Sequence, residues 1–401
     1  MSIPETGGKR YFFGRRPRIR SGFALPAPTD YPIVPMSQEL QPAAPRGRIA
    51  IGLSGGIDSS AAAARLQEQG WDVVGFTLHM FKEGSRCCSI EDVNRARRVC
   101  GHLGIPHHVI NVMDRFMAEV IAPFTAAYAS GRTPNPCIAC NRQFKFGVLL
   151  ERALDLGCTH IATGHYVRIH ATETGHRLMK GTDPGKDQSY FLHRLTAEQL
   201  ARAVFPLGTW LKRDVRAYVK DRGIPTEGAR ETADLCFITG AGPAPLIERF
   251  HPEIARPGEI RDTSGRRIGT HSGIHHFTIG QREGLGVALG RRMYVKAISP
   301  ADNSVVIADR DEVLTSTFSV EDLYWMDGRA PNPNRPMQVR TRYRQKPVEA
   351  TLELREDRTG TVITQEPIFA ITPGQAAVFH HDEEVLGGGW ISETVHEPGN
   401  D

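Results

Sequence analysis

The stretch Ile-Ala-Ile-Gly-Leu-Ser-Gly-Gly-Ile-Asp-Ser-Ser, residues 49–60, decides the fold of this chain. Its apolar first half predicts a buried parallel strand, and residues 61–69 after it predict a helix that ends at Gly70. The two glycines between strand and helix allow a sharp turn and a close approach to a ligand. Because the N–H groups and the dipole of a helix start attract negative charge, the stretch predicts an anion-binding loop.

This loop lacks the Walker pattern of kinases and GTPases. No Gly-Lys-Ser/Thr follows the glycines, and Asp58 stands where a lysine is expected. The sequence Ser-Gly-Gly-x-Asp-Ser instead resembles the pyrophosphate loop (PP-loop) of the N-type ATP pyrophosphatases, which adenylate a carbonyl oxygen and release pyrophosphate. A glycine-rich turn without a ligand is the alternative, and the motif alone indicates ATP without identifying the acceptor.

Strands and helices alternate after this first unit. Strands are predicted at 72–78, 105–111 and 160–163, and helices at 89–103, 114–130 and 144–156. The alternation predicts an α/β fold with a doubly wound parallel sheet, whose ligand crevice lies at the carboxyl ends of the strands. The segment from Ser54 to Ser59, together with Leu78 and Gly164, falls on that edge.

The chain is predicted to contain four parts. Residues 1–46 form an arm rich in proline and arginine, expected to be disordered, with Met36 as an alternative start and an organelle transit peptide as an alternative reading. Residues 47–240 form the catalytic domain, and 241–294 form a small module rich in glycine and histidine. From 295 to 395, short β-rich runs separated by turns predict a small barrel or sandwich, and we expect a C-terminal β-barrel. The runs are 293–298, 304–308, 337–342, 348–354, 360–363 and 376–379.

Composition indicates a cytoplasmic globular protein. The 401 residues are 40% hydrophobic and 23% charged, and no apolar run approaches the roughly 18 residues of a membrane span. Residues 1–48 carry a balance of +5, so the overall net charge of +4 leaves about −1 for the remainder. Bulk charge therefore does not indicate nucleic acid, and any RNA binding must come from local patches.

Seven cysteines, an odd number in a large chain, predict reduced thiols rather than a disulfide framework. Cys137 and Cys140 form a Cys-x-x-Cys that follows Pro134 and Pro136, and the segment is predicted as a rigid loop just before a helix. A helix dipole and the nearby Arg142 and Lys145 lower thiol pKa values and favour the nucleophilic thiolate. The alternatives for this pair are half of a zinc site or two structural thiols. Cys236 is flanked by apolar residues, and this local pattern alone predicts a core cysteine.

Nine segments in order make the chain resemble the bacterial tRNA-specific 2-thiouridylases, the MnmA family of the PP-loop superfamily. The resemblance covers about residues 48–391. The segments are Ser54-Gly-Gly-Ile-Asp-Ser59, Thr133-Pro-Asn-Pro-Cys-Ile-Ala-Cys-Asn141, Ala162-Thr-Gly-His-Tyr166, Lys186-Asp-Gln-Ser-Tyr-Phe191, Leu235-Cys-Phe237, Thr278-Ile-Gly-Gln-Arg282, Arg342-Tyr-Arg-Gln345, Thr372-Pro-Gly-Gln375 and Leu386-Gly-Gly-Gly389.

The resemblance implies ATP- and Mg²⁺-dependent 2-thiolation of the wobble uridine of tRNAs for Lys, Glu and Gln. The C2 oxygen attacks the α-phosphate of ATP, pyrophosphate leaves, and a cysteine persulfide then delivers sulfur to C2 and expels AMP. The implied partners are the tRNA anticodon stem-loop and a sulfur-relay protein or cysteine desulfurase. The 241–294 module would bind tRNA.

The resemblance also implies roles for individual residues. Cys236 matches the persulfide position and Cys140 its partner thiol, the two forming a disulfide when sulfur leaves. The nucleotide would be bound by Gly52, Leu53, Ser54, Gly55, Gly56, Ile57, Asp58, Ser59, Leu78 and Gly164. The target base would meet Asn135, Pro136 and Cys137, and the tRNA would meet His165, Lys186, Asp187, Gln188, Arg342, Tyr343 and Gln375.

Cys137 departs from the pattern of many family members, which have an acidic residue there that is a proposed acid/base. Cys137, Cys140 and Cys236 together would supply three thiolates, enough to hold three irons of a [4Fe–4S] cluster and leave the fourth open to sulfide. Such a cluster is proposed for the branch with this cysteine pattern. Spacing does not separate it from persulfide chemistry.

Other features keep modest interpretations. Cys87 and Cys88 read as loop thiols without an assigned role. His271, His275 and His276 could suggest zinc, but without nearby carboxylates or cysteines in the sequence we expect backbone or RNA phosphate contacts. The rival functions are another ATP-pyrophosphatase ligase, which would need no RNA, and a non-catalytic RNA- or metal-binding protein.

Overall fold

A computed structural model describes residues 46–81, 90–228, 235–238, 240, 242–287, 290–332 and 335–394. Most of the predicted arm, Cys87, Cys88 and the predicted helix cap Ser89 lie outside these residues. Within the described part, no helix is long and apolar enough to cross a membrane.

A five-stranded parallel sheet carries the first domain, which confirms the predicted doubly wound α/β class. Its order is β3-β2-β1-β4-β7, and every neighbouring pair is parallel. The strands are β1 (Arg48–Gly52), β2 (Asp72–His79), β3 (His107–Asn111), β4 (His160–Ala162) and β7 (Ala203–Val204). Ile49, Ala50 and Ile51 in the central β1 are fully buried, as expected for a parallel strand covered on both faces.

Helices cover both faces of this sheet. Those on one face share an apolar cluster with Ile49 and Ile51, and those on the other share one with Ala50. The first group contains α1 (Ile57–Glu68), α2 (Ile90–Leu103) and α8 (Lys212–Asp221). The second contains α3 (Met113–Phe116), a π-helical turn (Met117–Ile121), α4 (Ala122–Ala129), α5 (Pro136–Ala139), a π-helical segment (Cys140–Val148), α6 (Leu149–Asp155) and α7 (Ala197–Arg202).

Two helix starts were predicted too late. Helix α1 begins at Ile57, inside the PP-loop motif, because Gly56 adopts the extended conformation of a cap residue. The Cys-x-x-Cys is not in a loop before a helix but in the helix itself. Pro136 occupies the first turn of α5 and the Asn135 side chain accepts the Cys137 N–H at 3.2 Å, so capping begins the helix before both cysteines.

The central module is a four-stranded sheet of order β10-β11-β8-β9. Its strands are β8 (Gly258–Arg261), β9 (Arg267–His271), β10 (Tyr294–Ser299) and β11 (Ser304–Ala308). This sheet extends to Ala308, beyond the predicted end of the module at residue 294. The reason is that β11 pairs in parallel with β8, so its apolar residues pack with Ile260 rather than with the barrel.

Six strands close the C-terminal barrel in the order β12-β15-β14-β13-β16-β17, with β12 also paired to β17. They are β12 (Leu314–Trp325), β13 (Gln338–Arg340), β14 (Val348–Leu354), β15 (Gly360–Phe369), β16 (Ala376–His381) and β17 (Glu384–Thr394). The hairpin β5 (Val167–Thr172) and β6 (Gly175–Lys180) leaves the catalytic domain and pairs with β17. The barrel is therefore joined to the catalytic domain by strand pairing.

Candidate active site at the carboxyl edge of the parallel sheet

The turn between β1 and α1 is held by its own serines. The Ser59 hydroxyl lies 3.3 Å from both the backbone nitrogen and the hydroxyl of Ser54, and it donates to the Gly56 carbonyl at 3.2 Å. The Ser60 hydroxyl donates to the same carbonyl at 2.8 Å. Gly56 has no side chain with which to cap α1, so the first N–H groups of the helix face the loop. This arrangement suits a phosphate group.

Glycines are required on both sides of this loop. Gly55 has a φ of +70°, and a Cβ there would lie 2.6 Å from the Arg95 Cβ and 2.9 Å from the Ala96 backbone nitrogen. A Cβ on Gly164 would lie 2.7 Å from the backbone carbonyl carbon of Asp58. The loop thus runs between α2 and the end of β4 with no space for a side chain, which explains why the motif needs glycine there.

The start of the loop is fixed to β2. The Leu53 N–H donates to the Phe76 carbonyl at 2.7 Å, and the Thr77 hydroxyl donates to the Leu53 carbonyl at 2.8 Å. Leu78 is buried at the carboxyl end of the same strand. The predicted nucleotide residues at 52–59, 78 and 164 therefore lie along one edge of the sheet.

Lys212, the first residue of α8, is a site residue that sequence reasoning missed. Its Nζ lies 2.6 Å from Oδ1 of Asp58, and the Tyr166 hydroxyl donates to the same oxygen at 2.7 Å. The Lys212 side chain is only 8% exposed, whereas that of Asp58 is 36% exposed. This lysine neutralises a carboxylate beside an anion site. No local pattern marks it, because it is 154 residues away from Asp58 in the chain.

The segment around Cys236 lies at the same edge. The Phe237 ring packs on Phe124 with ring centroids 5.1 Å apart, and on Phe81 with centroids 6.0 Å apart. Phe81 lies two residues beyond the end of β2, so it marks the carboxyl end of that strand. Cys236, half-buried, is therefore held next to the edge that carries the PP-loop.

A single aromatic residue brings the Cys236 segment and the Cys140 helix together. Phe116 contacts Phe237 at 6.3 Å between centroids and Phe144 at 5.3 Å. Phe144 lies about one turn beyond Cys140, which is buried in the same apolar cluster against which Cys236 packs. Segments nearly a hundred residues apart in sequence, each carrying a cysteine, therefore pack on the same aromatic ring.

Cys100 and Cys158 differ in chemistry from Cys140 and Cys236. Burial raises the pKa of Cys100 to about 12 and also raises the pKa of Cys158. Cys100 packs in the apolar cluster of α1, on the opposite face of the sheet from Cys140. Both thiols stay protonated near neutral pH and are unsuited to nucleophilic chemistry.

Two residues predicted to meet tRNA join the domains. Gln375 donates through Nε2 to the Thr133 carbonyl at 2.8 Å, which ties the barrel to the loop that precedes Cys137. The Arg342 guanidinium donates to the Ile279 carbonyl at 2.8 Å and to the Thr372 hydroxyl at 2.7 Å. Arg342 therefore links the central module to the barrel.

The Lys186-Asp187-Gln188 segment is anchored from within. Asp187 is buried and accepts a hydrogen bond from Arg340 at 2.8 Å, while Gln188 accepts the Tyr166 N–H at 3.0 Å. Lys186 is half-buried. Asp187 and Gln188 thus hold the segment in place, and Lys186 is its basic side chain nearer to solvent.

His165 and Tyr343 also pack inward. His165 lies 2.7 Å from the Thr163 hydroxyl through Nδ1, and burial together with nearby Lys145 lowers its pKa well below the usual value. The Tyr343 ring packs on Phe191 with centroids 4.5 Å apart. Neutral His165 therefore offers little surface to an RNA in this conformation, and its predicted role stays a prediction.

Three family models match successive parts of the chain. They are the tRNA methyl transferase HUP domain at residues 47–240, the tRNA methyl transferase PRC-barrel domain at 247–309 and the aminomethyltransferase beta-barrel domain at 315–391. These ranges correspond to the parallel sheet with its helices, the four-stranded sheet and the closed barrel.

Curated relatives match over most of the chain. The tRNA-specific 2-thiouridylase MnmA of Acidithiobacillus ferrooxidans is 40% identical over 345 residues, which cover 86% of this chain and 98% of the relative. That of Chloroflexus aurantiacus is 41% identical over 351 residues, with the same shares covered. Among solved structures, the U34-tRNA thiolase NcsA from Methanococcus maripaludis with its [4Fe-4S] cluster is 16% identical with a TM-score of 0.33. It covers 52% of this chain and 65% of that chain, and a likeness this low assigns no residue roles.

Proposed function

Since this chain belongs to the family of tRNA-specific 2-thiouridylases, we propose that it replaces the C2 oxygen of the tRNA wobble uridine by sulfur. It is an ATP-dependent tRNA uridine sulfurtransferase, as its family membership shows. The residue-level proposal is supported by the packing of the Cys236 segment on Phe81, just beyond the end of β2, and by Phe116, which contacts both Phe237 and Phe144.

In the first step, the PP-loop binds the phosphates of ATP through the N-terminal N–H groups of α1. The C2 oxygen of uridine attacks the α-phosphorus, and the bond to the bridging oxygen breaks as pyrophosphate leaves. The carboxylate of Asp58 and the hydroxyls of Ser54 and Ser59 are oxygen donors of the kind Mg²⁺ prefers, so this set fits the ion. Mg²⁺ would neutralise the charge of the departing pyrophosphate.

In the second step, the terminal sulfur of a Cys236 persulfide attacks C2, and AMP leaves with the former C2 oxygen. The Cys140 thiolate then attacks the Cys236 sulfur and breaks the sulfur–sulfur bond, which leaves the transferred sulfur on C2. The product is a Cys140–Cys236 disulfide. A reductant and a sulfur donor, which we propose to be a relay protein or a cysteine desulfurase, must restore the thiol and the persulfide.

The three thiols of Cys137, Cys140 and Cys236 are also of the kind that holds a [4Fe–4S] cluster: Cys137 and Cys140 lie one helical turn apart, and Cys236 packs against the apolar cluster that contains Cys140. When bound, such a cluster would supply an open iron for inorganic sulfide. In either case Cys137 brings a thiol, rather than a carboxylate, to the position predicted to meet the base.

The tRNA would approach along the residues that tie the barrel and the central module to the catalytic domain. Gln375 adjoins the loop before Cys137, and Lys186 lies on the anchored segment nearby. A cytoplasmic location, where thiols stay reduced, suits this chemistry.

Incubation of the protein with unmodified tRNA, Mg·ATP and a sulfide or persulfide donor is expected to convert the wobble uridine to 2-thiouridine. Mass spectrometry of the digested tRNA would show one sulfur gained for one oxygen lost, and no gain without ATP. Pyrophosphate release that does not require RNA would contradict the proposal and favour another ATP-pyrophosphatase ligase. Absence of pyrophosphate release under all conditions would favour a non-catalytic RNA-binding protein.

Lys212→Met is expected to lower kcat/KM for ATP by roughly 5- to 30-fold. The change removes the buried cation that pairs with Oδ1 of Asp58, so the charge balance beside the triphosphate becomes less positive, an effect moderated because Asp58 is 36% exposed. Lys220→Met, an exposed lysine of the same helix α8, is the matched control and is expected to leave the rate unchanged. Steady-state pyrophosphate release at varied ATP measures the difference, and equal rates for the two variants would refute the assigned role.

A further inference from the structure

A cluster of histidine and glutamate side chains lies in the central module, outside the thiol site. Glu248 belongs to α9 (Ala244–Phe250), and His275 and His276 form part of a 3₁₀ turn (Ile274–His276). One ligand atom from each of the three residues lies within 4.8 Å of the other two. The sequence alone did not favour zinc at these histidines because no carboxylate stood near them. The fold supplies Glu248 from 27 residues away.

The three ligand atoms surround one point. Oε1 of Glu248 lies 2.9 Å from Nε2 of His275 and 3.6 Å from Nε2 of His276. The imidazole rings pack with their centroids 4.2 Å apart. The His275 side chain is fully buried, whereas those of His276 and Glu248 are 37% and 40% exposed. The cluster is therefore closed to solvent on the side of His275 and open to solvent on the side of His276 and Glu248; this open side is called the open front below.

These separations fit a tetrahedral ion. Zn²⁺ bound at about 2.0–2.2 Å by nitrogen and oxygen places neighbouring ligand atoms about 3.3 Å apart, between the two distances observed. A simple histidine–glutamate hydrogen bond would explain His275 but not why His276 turns Nε2 toward the same oxygen.

We propose that Glu248, His275 and His276 bind one Zn²⁺ per chain, with water from the open front as the fourth ligand. Two imidazoles and a carboxylate are ligands that Zn²⁺ accepts readily, and Mg²⁺, which prefers oxygen, would bind weakly. The site is independent of the thiols at the sheet edge. Its occupation is expected to be insensitive to tRNA and ATP.

The ion would join two parts of the central module, of which one, α9, packs against the catalytic domain. Ile247, next to Glu248, is fully buried in the apolar cluster that also contains Phe124 and Phe237. On the other side, His276 is followed two residues later by the Thr278-Ile-Gly-Gln-Arg282 segment. A metal that joins α9 to this turn would thus fix the rest of the module relative to α9, the helix that follows the Cys236 segment.

Zinc binding by chelator-treated, full-length protein tests the proposal. Isothermal titration with Zn²⁺ uses protein that carries Cys137→Ala and Cys140→Ala, so that these thiols do not compete for the ion. It is expected to show one site that is weakened by about 100-fold or more when His276→Ala or Glu248→Gln is added. His276 is used rather than the fully buried His275, whose replacement could unfold the module. His251→Ala removes a histidine that pairs with Glu253 instead, and this control is expected to keep the site.

A second readout separates this site from the cysteines. The protein loaded with one equivalent of Co²⁺ is expected to show visible absorption without a thiolate-to-metal charge-transfer band, and His276→Ala is expected to lose that spectrum. Thermal unfolding of metal-free variants checks that the fold is kept. Equal zinc affinity in wild type and His276→Ala, no zinc binding by the wild type, or a cobalt spectrum dominated by thiolate would each overturn the proposal.

Discussion

Cys236→Ala is expected to reduce 2-thiouridine formation by roughly 10³-fold or more, while tRNA-dependent pyrophosphate release continues. The thiol is the proposed carrier of the transferred sulfur, and nothing else in the described site combines its position with its chemistry. Adenylation precedes sulfur transfer and depends on the PP-loop, so the first step should survive the substitution. Cys140→Ala is expected to give the same pattern over many turnovers, because the disulfide that releases the product cannot form.

Cys100→Ala is the matched control for these variants. It removes a thiol whose pKa is raised to about 12 by burial on the opposite face of the sheet, so thiolation should persist. Parallel assays of wobble uridine by mass spectrometry and of pyrophosphate release measure both steps. Full thiolation by Cys236→Ala would exclude the persulfide role. Iron in anaerobically purified protein would favour the cluster over the persulfide if Cys137→Ala loses both the iron and the thiolation activity.

The parallel sheet could be predicted because its strands are short, apolar and evenly interrupted by helices. Ile49 to Ile51 are fully buried on both faces, so their pattern in sequence reflects their place in the fold. Strand β12 was missed because it mixes polar and apolar residues and changes register against both neighbours. Strand β17 was missed because it contains Gly387 to Gly389. A Cβ on Gly387 would lie 2.1 Å from the Tyr324 carbonyl oxygen, so glycine at this position lets β17 approach its neighbour β12 closely.

The residues of the site likewise fall into two groups: those in local sequence motifs could be predicted, and those brought in from distant parts of the chain could not. The PP-loop is a contiguous motif whose glycines have a local steric reason, so its sequence is sufficient to predict it. Lys212 and Glu248 act on groups far away in the chain, and neither stands in a recognisable pattern. Asp187 and Arg342 were predicted as tRNA contacts, yet each also makes a hydrogen bond between domains. A motif therefore identifies residues under constraint without separating a binding role from a packing role.

Gly55→Ala is expected to weaken ATP binding by about 100-fold and to slow adenylation to match. Alanine pays about 1–2 kcal/mol for the left-handed φ of +70°, and overpacking adds about 1–3 kcal/mol because its Cβ would lie 2.6 Å from the Arg95 Cβ. The Ala96 backbone nitrogen, 2.9 Å away, cannot move without α2. The loop must therefore shift instead, which displaces the N–H groups that hold the phosphates.

Gly101→Ala makes the same substitution in α2 at a position where the added Cβ meets nothing within 4 Å. An exposed helical glycine replaced by alanine should stabilise the fold slightly, by about 0.5–1 kcal/mol, and leave ATP binding unchanged. Calorimetric titration with ATP compares the two variants, and thermal unfolding shows whether Gly55→Ala stays folded. If Gly55→Ala binds ATP as tightly as Gly101→Ala does, the phosphates do not lie against this turn. The PP-loop would then not be the nucleotide site. A loop that has moved to relieve a 2.6 Å contact between the new Cβ and the Arg95 Cβ could not hold a triphosphate in the same place.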